Sequence, residues 1–166
     1  MAVKLNSELA AFFQTGDQPS EAEFGHLVDS VLPAPVDLPT SDATLTKATY
    51  QGRTLFASDV GSNTTYTIEA PAAAGEWYKF VYAGGATEAQ DHIFTVTTAK
   101  YKGNMARIEV TESDGNATVH ANGSSHVTLT INLARSFEIN MISYSTSIMY
   151  VWGYVVSADD TSAAFS

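Results

Sequence analysis

From Ala43 onward the chain is cut at short intervals by turn-forming residues, and this punctuation constrains its fold more than any other feature. Gln51-Gly52, Val60-Gly61-Ser62-Asn63, Gly84-Gly85, Lys102-Gly103-Asn104, Asp114-Gly115-Asn116 and Asn122-Gly123 are residues that accept positive φ or bond their own backbone. Between them, segments near 44–50, 53–58, 64–70, 77–83, 92–98, 106–112, 117–121, 126–133, 136–143 and 147–157 alternate in polarity or are rich in β-branched and aromatic residues. About ten short strands at this spacing predict a mainly β domain over 43–166, an antiparallel, jelly-roll-like β-sandwich. No stretch is long enough for crossover helices, so a parallel α/β fold is not expected.

Three segments carry the sharpest patterns. In Thr64–Gly85, Tyr66, Ile68 and Ala70 alternate with Thr65, Thr67 and Glu69. Pro71 to Gly75 makes a corner, because Pro71 cannot donate to a ladder and Gly75 turns freely. Trp77 to Tyr82 then puts Tyr78, Phe80 and Tyr82 on one face, with Trp77 and Val81 on the other. In His126 to Leu133, Val127, Leu129, Ile131 and Leu133 share the inward face. Ile148 to Val156 is apolar on both faces, with Ile148, Tyr150, Trp152, Tyr154 and Val156 opposite Met149, Val151, Gly153 and Val155. Such a strand is either central in a sandwich or lies against another subunit. The tail from Ser157 to Ser166 is small and polar apart from Phe165, a candidate terminal anchor.

Residues 1–32 read differently. Leu5, Leu9, Phe12 and Phe13 fall on one helical face, Thr15 to Pro19 breaks it, and Ser20 to Glu23 is a capping box. Phe24, Leu27, Val28, Val31 and Leu32 give the second helix its apolar face. This predicts a short N-terminal helical hairpin, which needs burial against other structure. Pro33, Pro35 and Pro39 make 33–42 an extended spacer between this head and the β domain.

Composition removes several function classes. The net charge of −10 argues against a nucleic-acid binder, which would need a basic stripe. From Met1 to Thr46 the only basic residue is Lys4, against Glu8, Asp17, Glu21, Glu23, Asp29, Asp37 and Asp42. That acidic head would suit a basic partner surface, or be a solvated helix face. With no cysteine there is no disulfide or thiolate metal site. No apolar run reaches the length of a membrane span, and Met1 to Leu9 lacks the apolar core of a signal peptide.

Candidate chemistry is sparse. His120 and His126 flank a turn and are the one pair of the four histidines (His26, His92, His120, His126) placed for a metal, but a short hairpin brings two histidines together by chance more often. Glu69, Glu76, Glu88 and Asp91 cluster in sequence as sugar hydrolysis would require, yet sit at strand ends and loops where carboxylates are common. The expectation is no enzyme, no metal and no cofactor. Trp77, Tyr78, Tyr82, Tyr101 and Tyr144 are candidates for a glycan platform, or for core and subunit packing. The loop Lys100-Tyr101-Lys102 is the one local basic cluster.

The segment F-F-Q-T-G-D-Q-P-S-E-A-E-F-G-H-L-V-D-S-V-L resembles one recurring near the N-terminus of tailed-bacteriophage virion proteins, approximately F-x-T-G-D-x-P-T-x-x-Q-F-x-x-L-I-D-S. Phe13, Thr15, Gly16, Asp17, Pro19, Phe24, Leu27, Asp29 and Ser30 match it, whereas Ser20, Glu23 and Val28 depart mildly. Y-T-I-E-A-P-A-A-A-G-E-W-Y-K-F-V is similar to a turn of phage fibre and capsid-decoration β-domains, and Tyr150-Val151-Trp152-Gly153 to their late Trp-bearing strand. The resemblance implies a virion structural protein made in the host cytoplasm, a homotrimer with a jelly-roll-like body. A capsid cement protein binding the major capsid protein is the first reading. A short head or tail fibre or knob binding a host receptor or glycan is the alternative. Leu9, Phe12, Phe13, Phe24 and Leu27 are the implied packing face of the head; Trp77, Tyr150, Trp152 and Tyr154 are the candidate subunit contacts.

Overall fold

The structure is a computed structural model, and its description covers residues 20–22, 24, 33–82, 90–109, 117–132, 134–157 and 163–166. The chain is mainly β, with strands β1 (Val36–Asp37), β2 (Ala43–Leu45), β3 (Thr54–Ala57), β4 (Thr64–Ile68), β5 (Trp77–Tyr82), β6 (His92–Val96), β7 (Lys100–Glu109), β8 (Ala117–Asn122), β9 (Thr128–Ile131), β10 (Ala134–Ser145), β11 (Ile148–Ser157) and β12 (Ala163–Phe165). A single helical turn, α1 (Lys47–Tyr50), follows β2 where the sequence predicts a continuing strand. Glu21, Ala22 and Phe24 are helical, and the Phe24 N–H donates to the Ser20 carbonyl at 2.9 Å. The rest of the expected hairpin, including Leu9, Phe12, Phe13 and Leu27, lies outside the described residues.

The strands form two mixed sheets. One has seven strands in the order β1-β3-β5-β10-β11-β7-β8, the other five in the order β12-β9-β6-β4-β2. Where antiparallel pairing is expected, five ladders among the described residues are parallel: β1/β3, β3/β5, β11/β7, β2/β4 and β4/β6. The reason lies in how the chain crosses. From β1 to β7 successive strands alternate between the sheets, so each strand returns beside the one two before it, running the same way. The strand in the opposite sheet does the work of a crossover helix. The hairpin β10–β11 is then inserted between β5 and β7, antiparallel to β5 and parallel to β7.

Alternation decides what each strand buries. Tyr78, Phe80 and Tyr82 of β5 are buried, as are Phe137, Ile139 and Met141 of β10 and Met149, Val151 and Val155 of β11. From the five-stranded sheet, Tyr66, Ile68, Phe94, Val96, Leu129 and Ile131 join them in one core. The sheets meet through rings: Phe80 and Phe94 centroids are 4.7 Å apart, and Phe94 meets Phe137 edge-on at 6.0 Å. Each such ring removed from water contributes roughly 1.5–3 kcal/mol. His92 is fully buried among Tyr66, Tyr82 and Phe137, its centroid 5.3 Å from that of Tyr82. Phe165 does anchor the C-terminus, packing on Tyr101 and His126 at 5.9 and 6.1 Å while β12 pairs with β9.

Two of the sequence's turn readings are strand in the structure. Lys100-Tyr101-Lys102 and Lys102-Gly103-Asn104 all lie within β7, beside β11. Gly103 is there because a Cβ would sit 2.0 Å from the Val151 carbonyl oxygen; at Gly153 of β11 it would sit 1.9 Å from that of Glu138. Both glycines let neighbouring strands approach more closely than a side chain permits. Part of the Pro-rich stretch also belongs to the β body: Val36–Asp37 pairs with β3, and Leu38 is buried.

Candidate functional site: the outer face of the seven-stranded sheet

The strand apolar on both sides proves to be central in its sheet, flanked by β10 and β7. Its second face is not covered by the other sheet. Residues of opposite parity to the core therefore share one outer surface, and the registers order them. One row runs Trp77, Ile142, Tyr150, Lys102, Asn122 from β5 to β8; the next runs Thr54, Lys79, Asn140, Trp152, Asn104, His120 from β3 to β8. A third runs Phe56, Val81, Glu138, Tyr154, Ala106, Thr118.

This face carries a set of large exposed hydrophobic side chains among its polar residues. Trp152 is 50% exposed and Tyr144 67%, and Phe56, Trp77, Ile108 and Tyr154 are exposed as well. Among the described residues, every exposed large hydrophobic of the β body lies here. The candidate contacts Trp77, Tyr150, Trp152 and Tyr154 are thus brought onto one surface, three of them exposed and Tyr150 half-buried. Phe56 and Ile108 were not singled out from sequence. The four-residue β3 is too short to show its phase, and Gly103 disguises that of β7.

Polar groups thread the same face. Tyr144 stands edge-on to Tyr150, centroids 5.5 Å apart, and the Lys102 ammonium lies 5.7 Å from the Tyr150 centroid, a cation–π distance. Lys79 Nζ is 3.1 Å from Glu138 Oε2, and Asn140 Nδ2 donates to Glu138 Oε1 at 3.1 Å. The Asn140 hydrogen bond and then the Lys79 contact hold the Glu138 carboxyl below its ordinary pKa. His120 Nδ1 and Asn104 Oδ1 are 2.5 Å apart.

The structure gives the other sequence candidates different places. Tyr78, Tyr82 and Tyr101, offered for a glycan platform, are buried; only Trp77 and Tyr144 of that set are exposed. Burial pushes the Tyr101 phenol far above its ordinary pKa, and burial followed by the Glu76 and Glu69 carboxylates does so for Tyr78. His120 and His126 do not converge: His120 faces Asn104, while His126 Nδ1 accepts from the Asn122 N–H at 3.1 Å. Among the described residues no three His, Cys, Asp or Glu side chains are grouped to hold a metal.

The clustered carboxylates organise backbone. Glu69 Oε2 accepts from the Lys47 N–H at 2.8 Å, at the start of α1. Glu76 Oε1 accepts from the Ala72 and Ala73 N–H groups at 2.9 and 3.1 Å and lies 3.5 Å from Lys47 Nζ. Ser143 Oγ accepts from the Glu76 N–H at 2.9 Å and donates to the Ala73 carbonyl at 2.6 Å. The Pro71–Gly75 corner is thereby clamped to β10, next to Trp77. Asp91 exchanges hydrogen bonds with Asn63 at the opposite end of the fold; Glu88 and His26 lie outside the described residues. Compared with known protein families, curated proteins and solved structures, the chain matches none.

Proposed function

We propose that this chain is a virion structural protein of a tailed bacteriophage, a capsid cement protein working on the capsid surface after synthesis in the host cytoplasm. The observation that carries the reading is the aromatic outer face of the seven-stranded sheet. A β body with this many rings on the water side of its central strands is built to be covered by protein. The motifs at Phe13–Ser30 and Tyr66–Val81 supply the kind of assembly. In this reading the body is a jelly-roll-like sandwich rewound by parallel crossings, residues 1–32 are a helical attachment head, and the protein acts as a homotrimer. Contact with the major capsid protein raises the cost of separating capsomers by mass action. Purified protein added to decoration-free capsids should bind and raise their melting temperature. Capsids that bind nothing, or bind without stabilisation, exclude cement.

One observation favours a fibre or knob reading second. Tyr144 and Trp152 are exposed beside Lys102, Asn104 and His120, the mixture of flat rings and polar groups that holds a sugar. Glycan-array binding lost on Trp152→Ala or Tyr144→Ala would decide for it.

A further inference from the structure

The outer face and Phe24 present the same unmet need. Phe24, on its helical turn, is 57% exposed, barer than Trp152 and exceeded on the face by Tyr144. We propose that the outer face of the seven-stranded sheet is the dock for residues 20–32 of a second copy of this chain. The proposal deepens the self-association reading above and does not depend on the capsid.

Charge, dimensions and chain path all support this occupant. Lys102 lies across from Tyr150 and Asn122, and Lys100 across from Ile148, so no carboxylate faces either lysine along the described ladders. Residues 1–46 hold seven acidic residues against Lys4, and Glu21 and Glu23 stand at one end of the 20–32 segment. Phe24, Leu27, Val28 and Val31 then recur at helical spacing. As a helix this segment spans about 20 Å. The row from Trp77 through Ile142 and Tyr150 to Lys102 spans three strand intervals, about 14 Å. A helix over 20–32 would thus be long enough to cover the rings with Glu21 and Glu23 at the lysines, Asp29 lying farther along the segment.

The path favours docking in trans. The chain joins the body at the sheet's β1 edge, where Arg53 Nη1 donates to the Ala34 carbonyl at 3.1 Å, and Phe24 remains exposed within its own chain. A segment of one copy seated on the face of the next is a heterologous contact, which closes into a ring when the rotation allows.

The test uses a built-in reporter, since the chain's two tryptophans, Trp77 and Trp152, are both on this face. In sedimentation velocity the full-length protein should be oligomeric. On dilution it should dissociate, with tryptophan emission moving to the red. Glu21→Lys with Glu23→Lys, and separately Lys100→Glu with Lys102→Glu, should each weaken association about tenfold or more. Mixing the two reversed proteins should restore it. Far-UV circular dichroism checks folding, and Lys100→Gln with Lys102→Gln gives the same loss at smaller amplitude if a reversal does not fold. A protein monomeric at every concentration overturns the proposal, as does an oligomer whose tryptophan emission ignores dilution. Reversed proteins that fail to rescue each other, or a monomer whose emission shifts only with oligosaccharide, also overturn it. An oligomer that does not bind capsids fails the cement reading alone; a monomer that stabilises capsids fails this one alone.

Discussion

Ser143 and Tyr78 show how two buried hydroxyls beside one corner come to have opposite values. Ser143 Oγ both accepts and donates, holding Glu76 N–H and the Ala73 carbonyl. Ser143→Ala leaves both groups without their partner and should cost about 1–3 kcal/mol in urea denaturation. Tyr78 OH is buried with no hydrogen-bond partner among the described residues. Tyr78→Phe keeps the ring in the core and removes a hydroxyl that is dehydrated without return. The same measurement should find it neutral or stabilising by up to about 1 kcal/mol. Destabilisation of Tyr78→Phe as large as that of Ser143→Ala would show that the phenol is bonded after all. The sequence placed Ser143 in a strand and Glu76 before one, but their bond joins residues far apart in the chain, which no local pattern encodes.

At the level of elements, alternation revealed the faces well and the pairings poorly. The two faces of β5 and β11 were legible because each runs long enough to show several periods. The neighbours of β11 were not, since a period of two says which residues share a side and nothing about which strand lies beside them. Glycine misled at one position. Gly103 reads as a turn because glycine serves both turns and close backbone approach, and only the neighbouring Val151 carbonyl distinguishes the two. Gly153→Ala should therefore be severe: its Cβ would overlap the Glu138 carbonyl oxygen, and β10 and β11 would have to separate. A loss of about 3 kcal/mol or more is expected, read as a fall in melting temperature; an unchanged melt would mean that the strands are not this close.

For the whole molecule, the two sheets share one core, so neither has a separate reason to stay folded. Unfolding should be a single transition, with far-UV circular dichroism reporting the strands and near-UV signals reporting the packed rings at the same midpoint. Refolding should take milliseconds to seconds, because neighbours such as β5 and β10 are distant in sequence and loop closure precedes their reward. Two separated midpoints would show the sheets to be independent. By itself the sequence determined a mainly β chain and which residues of β5 and β11 alternate onto each side of the strand. Those properties are local, set by alternation and turn chemistry. Only the tertiary structure decided that strands alternate between sheets, that half the ladders among the described residues are parallel, and that β10–β11 is inserted at the centre. Each follows from contacts between distant segments, and so does the exposure of Trp77, Trp152 and Tyr154: the core needed only one side of those strands.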